Sequence, residues 1–273
     1  MCRGVLRLRI PLRAGVFELE ITVCSVPDLL PHEEVIPEHL RGLVSAFARS
    51  RYQRNPVIVD ASSNLILDGT HRWAAMRELG FPLIAACKVD YMSPLVELDT
   101  WARVYDWAGS DVEKALEGFE VERVDLESVR ESDLAVIHRR RAYVVRHEGV
   151  RDAFEKLRSL ERMLEKLAKR PSAYVPRSSW PLHAHKPLLI LPPSPSKTDV
   201  LEAAREGYLM PPKSTRHIIP ARPVGVNVPL RLLRKRSLDT ELFEEVLRQR
   251  RLLLLQPPVM LDREYQEVLL MFA

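Results

Sequence analysis

Leu67-Asp68-Gly69-Thr70-His71-Arg72-Trp73-Ala74-Ala75 is the stretch that decides how this chain is built. An apolar strand at 65–67 ends on a carboxylate, a glycine turns the backbone, and a helix starts with His and Arg in its first turn. The helix should span 70–79, because Gly80 supplies the C-terminal stop and Pro82 prevents continuation. The unpaired N–H groups and positive end of such a helix attract anions, and His71 and Arg72 add charge-assisted donors there. Asp68 stands where a strand-end carboxylate can hold Mg²⁺ against bound phosphates. The plainer alternative is that Asp68 or Thr70 caps the helix and Arg72 forms an ion pair.

Working outward, residues 6–10 and 17–23 alternate apolar and polar about Ala14-Gly15, which predicts a β-hairpin. A proline-bounded loop covers 27–34, and a helix starts at Pro37 with Leu40, Leu43, Val44 and Phe47 on one face. Short strands are expected at 56–59 and 83–89, so 21–92 forms one mixed α/β block. Beyond Ser93 the reading is a helix over 99–107 and an amphipathic helix over 150–169, with Val150, Phe154, Leu157, Leu160, Leu164 and Leu167 inward. A proline-rich loop follows over 171–198, then an apolar run at 224–233 and a helix over 240–254. Residues 111–149 give no clear pattern.

The 273 residues are 46% apolar and 29% charged, a globular composition that excludes a disordered chain. The net charge of +4 rests mostly on 32 Arg against 9 Lys, which suits phosphate contacts without requiring nucleic acid. Three cysteines are too few and scattered for a disulfide framework or a Cys-rich zinc site, and His183 and His185 lack partners at metal-ligand spacing. Arg3, Arg7, Arg9 and Arg13 interrupt any leader-like apolar stretch, and no run approaches a membrane span, so a cytoplasmic protein is expected. Only 3 Asn and 4 Gln beside 21 Pro fit a heat-adapted source. The basic runs 139–141 and 234–236 read as solvated faces. Neither a phosphate-binding Gly-Lys-Ser/Thr loop nor a protein-kinase catalytic loop is present.

The segment 29–91 resembles the ParB/sulfiredoxin-like superfamily, whose members bind nucleotide at this strand–turn–helix. Sulfiredoxins have a catalytic Cys where this chain has Thr70, and Cys87 on the following strand offers no substitute. Chromosome-partition ParB proteins carry a Gly-Glu-Arg-Arg type box, which Gly69-Thr70-His71-Arg72 does not match. Asp68-Gly69-Thr70-His71-Arg72, with His32-Glu33 upstream, is most similar to the free L-serine kinase branch. That resemblance implies phosphoryl transfer from ATP or ADP, with Mg²⁺, to the hydroxyl of L-serine. The O-phospho-L-serine formed would serve cysteine biosynthesis. It makes Glu33 the base that accepts the hydroxyl proton, with Glu34 and Glu38 as register alternatives, and Asp68 its catalytic partner or a metal ligand. Gly69, Thr70, His71 and Arg72 would hold the nucleotide.

A second constellation is Lys213-Ser214-Thr215-Arg216-His217, in which two cations, two hydroxyls and an imidazole make an anion-recognition loop. It looks like the substrate-binding motif of the same kinases, which also place a Trp near the amino-acid pocket, here Trp101; a solvated basic loop and a core tryptophan are the plain alternatives. The expected architecture is α/β (α+β). A ParB/sulfiredoxin-like nucleotide-binding domain with its N-terminal hairpin (1–98) would form a cleft with a mixed α/β substrate-binding domain (99–273). The expected partners are L-serine and nucleotide, with no nucleic acid and no membrane. The alternative is a ParB-like nucleotide-binding regulator associated with DNA, and a third reading is a kinase for another hydroxylated amino acid.

Overall fold

Alternation of apolar and polar residues builds the first sheet. In the computed structural model, described for residues 4–107, 109, 112–166, 170–261 and 264–273, Gly15–Ser25 buries Phe17, Leu19, Ile21 and Val23. It pairs antiparallel with Gly4–Leu12 on one side and Leu83–Val89 on the other. Val57–Asp60 joins Leu83–Val89 in parallel and Ile66–Asp68 closes the five-stranded sheet. The parallel pair needs a crossover, and the helix Thr70–Glu78 supplies it. A second helix, Pro37–Arg49, packs on that helix.

The chain divides into two compact units: Met1–Glu97 together with His217–Ala273, and Leu98–Arg216. The first boundary falls beside the expected one at 98/99, whereas the C-terminal segment belongs with the N-terminal unit. It adds a sheet in which Val268–Phe272 pairs parallel with Ala221–Val224 and antiparallel with Leu252–Leu255. Gly225 turns the chain at φ +70, where a Cβ would lie 2.9 Å from the Phe272 carbonyl oxygen, so only glycine fits. Its N–H donates to Asn55 Oδ1 at 2.8 Å, and Val228–Pro229 pairs with Tyr52–Gln53.

The second unit is a six-stranded antiparallel sheet in the order Ala173–Pro176, Trp101–Tyr105, Leu188–Leu191, Leu134–His138, Arg141–Val145, Val121–Val124. The helix Val150–Lys166 turns Ala153, Phe154, Leu157, Leu160 and Leu164 inward. Leu167 and the remainder of the expected 150–169 helix lie outside the described residues.

Several expectations are corrected. Residues 101–105 are a strand and not part of a helix, because Ala102 and Val104 contribute to the sheet core. The loop expected over 171–198 contains two strands, since Leu188–Leu191 is wholly buried. Burying each such side chain is worth about 1.5–3 kcal/mol, which outweighs the turn preference of the flanking prolines. The unpatterned 111–149 holds three strands of the same sheet. The C-terminal helix stops at Arg248, and Leu252–Leu255 becomes a strand because a distant partner pairs with it.

Candidate active site

Backbone geometry sets the turn. Ile66–Asp68 ends, Gly69 takes φ 99 and ψ 23, and Thr70 begins the helix with no side chain capping it. Of the plainer alternatives to anion binding, the cap is therefore not used, while the ion pair forms: Arg72 Nη2 donates to Asp68 Oδ2 at 2.8 Å. The guanidinium folds back over Gly69, and its buried Nε has no hydrogen-bond partner among the described residues.

A second guanidinium reaches the same oxygen. Arg222 Nη1 donates to Asp68 Oδ2 at 2.7 Å while its Nε donates to Glu267 Oε1 at 2.8 Å. Burial alone would lower the Arg222 pKa, but the Asp68 and Glu267 charges raise it. A carboxylate oxygen shared by two guanidiniums is a poor ligand for a divalent cation, so Asp68 does not fit the Mg²⁺ role expected for it. Among the described residues, no group of three His, Cys, Asp or Glu side chains is placed to hold a metal.

The loop bearing Glu33 is fastened at both ends. Ile66 N–H donates to Leu30 O at 2.9 Å, and Trp73 Nε1 donates to Val26 O at 2.9 Å. On the far side of Glu33, Ile36 N–H donates to His71 Nε2 at 2.8 Å. An Nε2 that accepts carries no proton, so His71 is neutral with its hydrogen on Nδ1. The sequence suggested a charged donor at this position; the backbone bond makes it a neutral one.

Behind Glu33 lies a buried aromatic group. His32 Nε2 is 3.9 Å from Glu33 Oε1, and its ring meets that of His217 edge-on at 5.3 Å between centroids. Burial holds the His32 pKa below the ordinary value, with the Glu33 charge opposing only in part. His217 Nε2 in turn lies 3.1 Å from the Tyr91 hydroxyl, and Tyr91 N–H donates to Asp60 Oδ1 at 3.0 Å. Burial would raise the Asp60 pKa, but bonds from Ser62, Ser63 and the Tyr91 and Ser63 amides lower it. Cys87 is fully buried and its thiol pKa is pushed up by that burial, so it is no nucleophile.

The remaining candidates gather in the second unit. Lys213 Nζ and Arg216 Cζ lie 5.6 and 5.4 Å from the centroid of the Trp101 ring, and Arg216 Nη1 is 3.7 Å from Asp99 Oδ2. Ser214 is buried and its hydroxyl donates to Pro211 O at 2.7 Å, closing the loop on itself. Thr215 is buried beside it. His217, read from sequence as part of this run, belongs to the first unit.

Arg103, Arg222, Glu267 and Tyr91 were not singled out from sequence. Arg103 is completely buried: Nη1 donates to Trp101 O at 2.7 Å and Lys213 O at 3.0 Å, Nη2 to Pro212 O at 3.0 Å, and Nε to Glu161 Oε1 at 2.7 Å. The available signal was an arginine set among apolar strand residues, Trp-Ala-Arg-Val-Tyr and Ala-Arg-Pro-Val.

No family model matches the chain. It is similar to the ATP-dependent L-serine kinase of Staphylothermus marinus, 28% identical over 79% of this chain and 92% of the relative. The ADP-dependent L-serine kinase of Thermococcus kodakarensis is 22% identical over 78% of this chain and 93% of its own length. A ParB-like protein of Sulfolobus acidocaldarius is 28% identical over 71% of this chain and 88% of its own length. Among solved structures, a free serine kinase in complex with AMP matches with a TM-score of 0.64 and 21% identity, over 78% of this chain and 93% of that one. C-terminally truncated SbnI from Staphylococcus aureus matches with a TM-score of 0.69 and 17% identity, over 85% and 96%. The fold expected from the turn at Gly69 is the one these structures share.

Proposed function

We propose that this chain, which has the fold of the free serine kinases among the ParB/sulfiredoxin-like proteins, is a nucleotide-dependent L-serine kinase. It transfers a phosphoryl group from ATP or ADP to the serine hydroxyl, giving O-phospho-L-serine for cysteine formation. The polyphosphate rests on the uncapped first turn of Thr70–Glu78, where the missing Gly69 side chain leaves room for the Arg72 guanidinium and where Arg72 and His71 Nδ1–H donate. Glu33 accepts the hydroxyl proton as the new O–P bond forms and the bond to the nucleotide oxygen breaks. Lys213 and Arg216, steadied over Trp101, recognise the amino acid carboxylate. Ser214 and Arg103 shape that loop. Magnesium enters this reading only as a counter-ion of the nucleotide.

The bond from Ile36 N–H to His71 Nε2 carries the proposal. It ties the segment that bears the base to the helix that binds phosphate, so that base and nucleotide keep one register. Incubation with Mg²⁺, each adenine nucleotide and a panel of hydroxyl amino acids tests the reading. Phosphoserine should form with ADP or AMP released, and Glu33→Gln should lose nearly all turnover while still binding nucleotide. Near-normal turnover in that variant removes Glu33 from the mechanism. Salt-dependent DNA binding without phosphoserine would favour the regulator.

A further inference from the structure

Asp68 ends the strand that leads into the nucleotide turn, and one of its oxygens is the meeting point of two arginines. Arg72 reaches Oδ2 from the first turn of the helix, four residues on, and Arg222 reaches it from a strand 154 residues away. The Arg222 side chain is only 11% exposed, and Glu267 engages its Nε. Two positive and two negative side chains therefore close a neutral chain, Arg72–Asp68–Arg222–Glu267. Arg72 sits at its open end, and its guanidinium covers Gly69: the nearest contacts of a Cβ built there are Arg72 Nη2 at 2.6 Å and Nε at 2.9 Å.

We propose that Arg222 is a positioning residue for the nucleotide turn: through Asp68 it fixes Arg72 over Gly69, and Asp68 acts as an arginine anchor, not as a metal ligand. This rests on the kinase reading only in taking the turn at Gly69 as the nucleotide site. Without Arg222, the remaining chain of Arg72, Asp68 and Glu267 carries one more negative than positive charge, which acts on the incoming phosphates while Asp68 loses the partner that steadies it. Lys at position 222 would keep the charge but lose the fork that spans Asp68 and Glu267.

The test is calorimetric titration of the full chain with ADP, in EDTA and in excess Mg²⁺. It compares wild type, Asp68→Asn, Arg222→Gln, Arg222→Lys and the Asp68→Asn/Arg222→Gln double variant, each first shown folded by thermal melting. Arg222→Gln should weaken ADP binding about tenfold, which is about 1.4 kcal/mol. Arg222→Lys should weaken it less. The double variant should bind ADP no more weakly than Arg222→Gln alone, because both changes break the same chain to Arg72; a purely structural role for Arg222 predicts losses that add. The factor by which Mg²⁺ tightens ADP should be the same in Asp68→Asn as in wild type, and serine KM should move less than twofold in Arg222→Lys.

Unchanged ADP affinity in Arg222→Gln overturns the proposal. So does a double variant weaker than Arg222→Gln alone, or loss of the Mg²⁺ effect in Asp68→Asn, which would restore the metal role. Binding is read without turnover, so the two readings separate. A protein that follows this pattern but makes no phosphoserine refutes the kinase and leaves the anchor. A wild type that does not bind ADP refutes both.

Discussion

Replacing Gly69 by Ala puts the reading of the turn under direct strain. The residue sits at φ 99 and ψ 23, a conformation that costs an L side chain about 1–2 kcal/mol. The added Cβ would also lie 2.6 Å from Arg72 Nη2 and 2.9 Å from Val57 Cγ1. Arg72 can move aside, but only by leaving Asp68, whereas Val57 is fully buried in the central sheet and cannot. Overpacking of this kind adds about 1–3 kcal/mol. The sum is roughly 2–5 kcal/mol, or on the order of 4–20 °C in melting temperature for a unit of this size. ADP affinity should fall with it, because the displaced guanidinium and the methyl both intrude on the first turn. Gly42→Ala is the matched control, since its site is helical, exposed and open, with nothing within 4 Å of the new Cβ. There the change should stabilise by about 0.5–1 kcal/mol. Denaturant unfolding and ADP titration of both variants check the argument. A Gly69→Ala protein within 0.5 kcal/mol of wild type and with unaltered ADP affinity would refute it, as a surface substitution normally stays within about that margin.

Arg103→Met strips a buried guanidinium from Glu161 and three carbonyls; unfolding should cost about 3–5 kcal/mol less, and serine KM should rise far more than nucleotide KM, a prediction lost if both rise together. His32 has a folded pKa below its ordinary value of 6.5, so the unfolded chain binds more protons below that pH and stability declines as pH drops from about 6.5 toward the folded pKa. Melting curves from pH 7 to 5 should show the decline, and His32→Gln should flatten it.

The turn at Gly69 was legible because everything that makes it is local: a strand, a carboxylate, a glycine and a helix in nine residues. The neighbouring sheet was legible for the same reason, through the alternation in 17–23 and the hairpin that precedes it. What stayed hidden depends on partners far along the chain. Leu134–His138 and Leu188–Leu191 are buried on both faces, so neither shows alternation, and they pair with each other across some fifty residues. The leucines at 252–255 look helical until Val268–Phe272 is seen beside them. Arg222 carries no mark in sequence of a bond to Asp68. His217 reads with its neighbours as one basic loop, yet it packs on Tyr91 and His32. The cationic run itself was visible, but its division into a half-buried pair over Trp101 and a buried serine that closes the loop depends on carbonyls held by Arg103.

Because the first unit is assembled from two stretches separated by 98–216, its completion during synthesis waits for the strand at Val268–Phe272 to emerge. The intervening unit is contiguous and can finish folding while its host still lacks a strand. Until then the turn at Gly69 exists without Arg222, so a nascent chain halted near residue 216 should carry an immature turn beside a mature insert. A chain cut between 216 and 217 and then supplied with the missing piece in trans should recover nucleotide binding by fragment complementation.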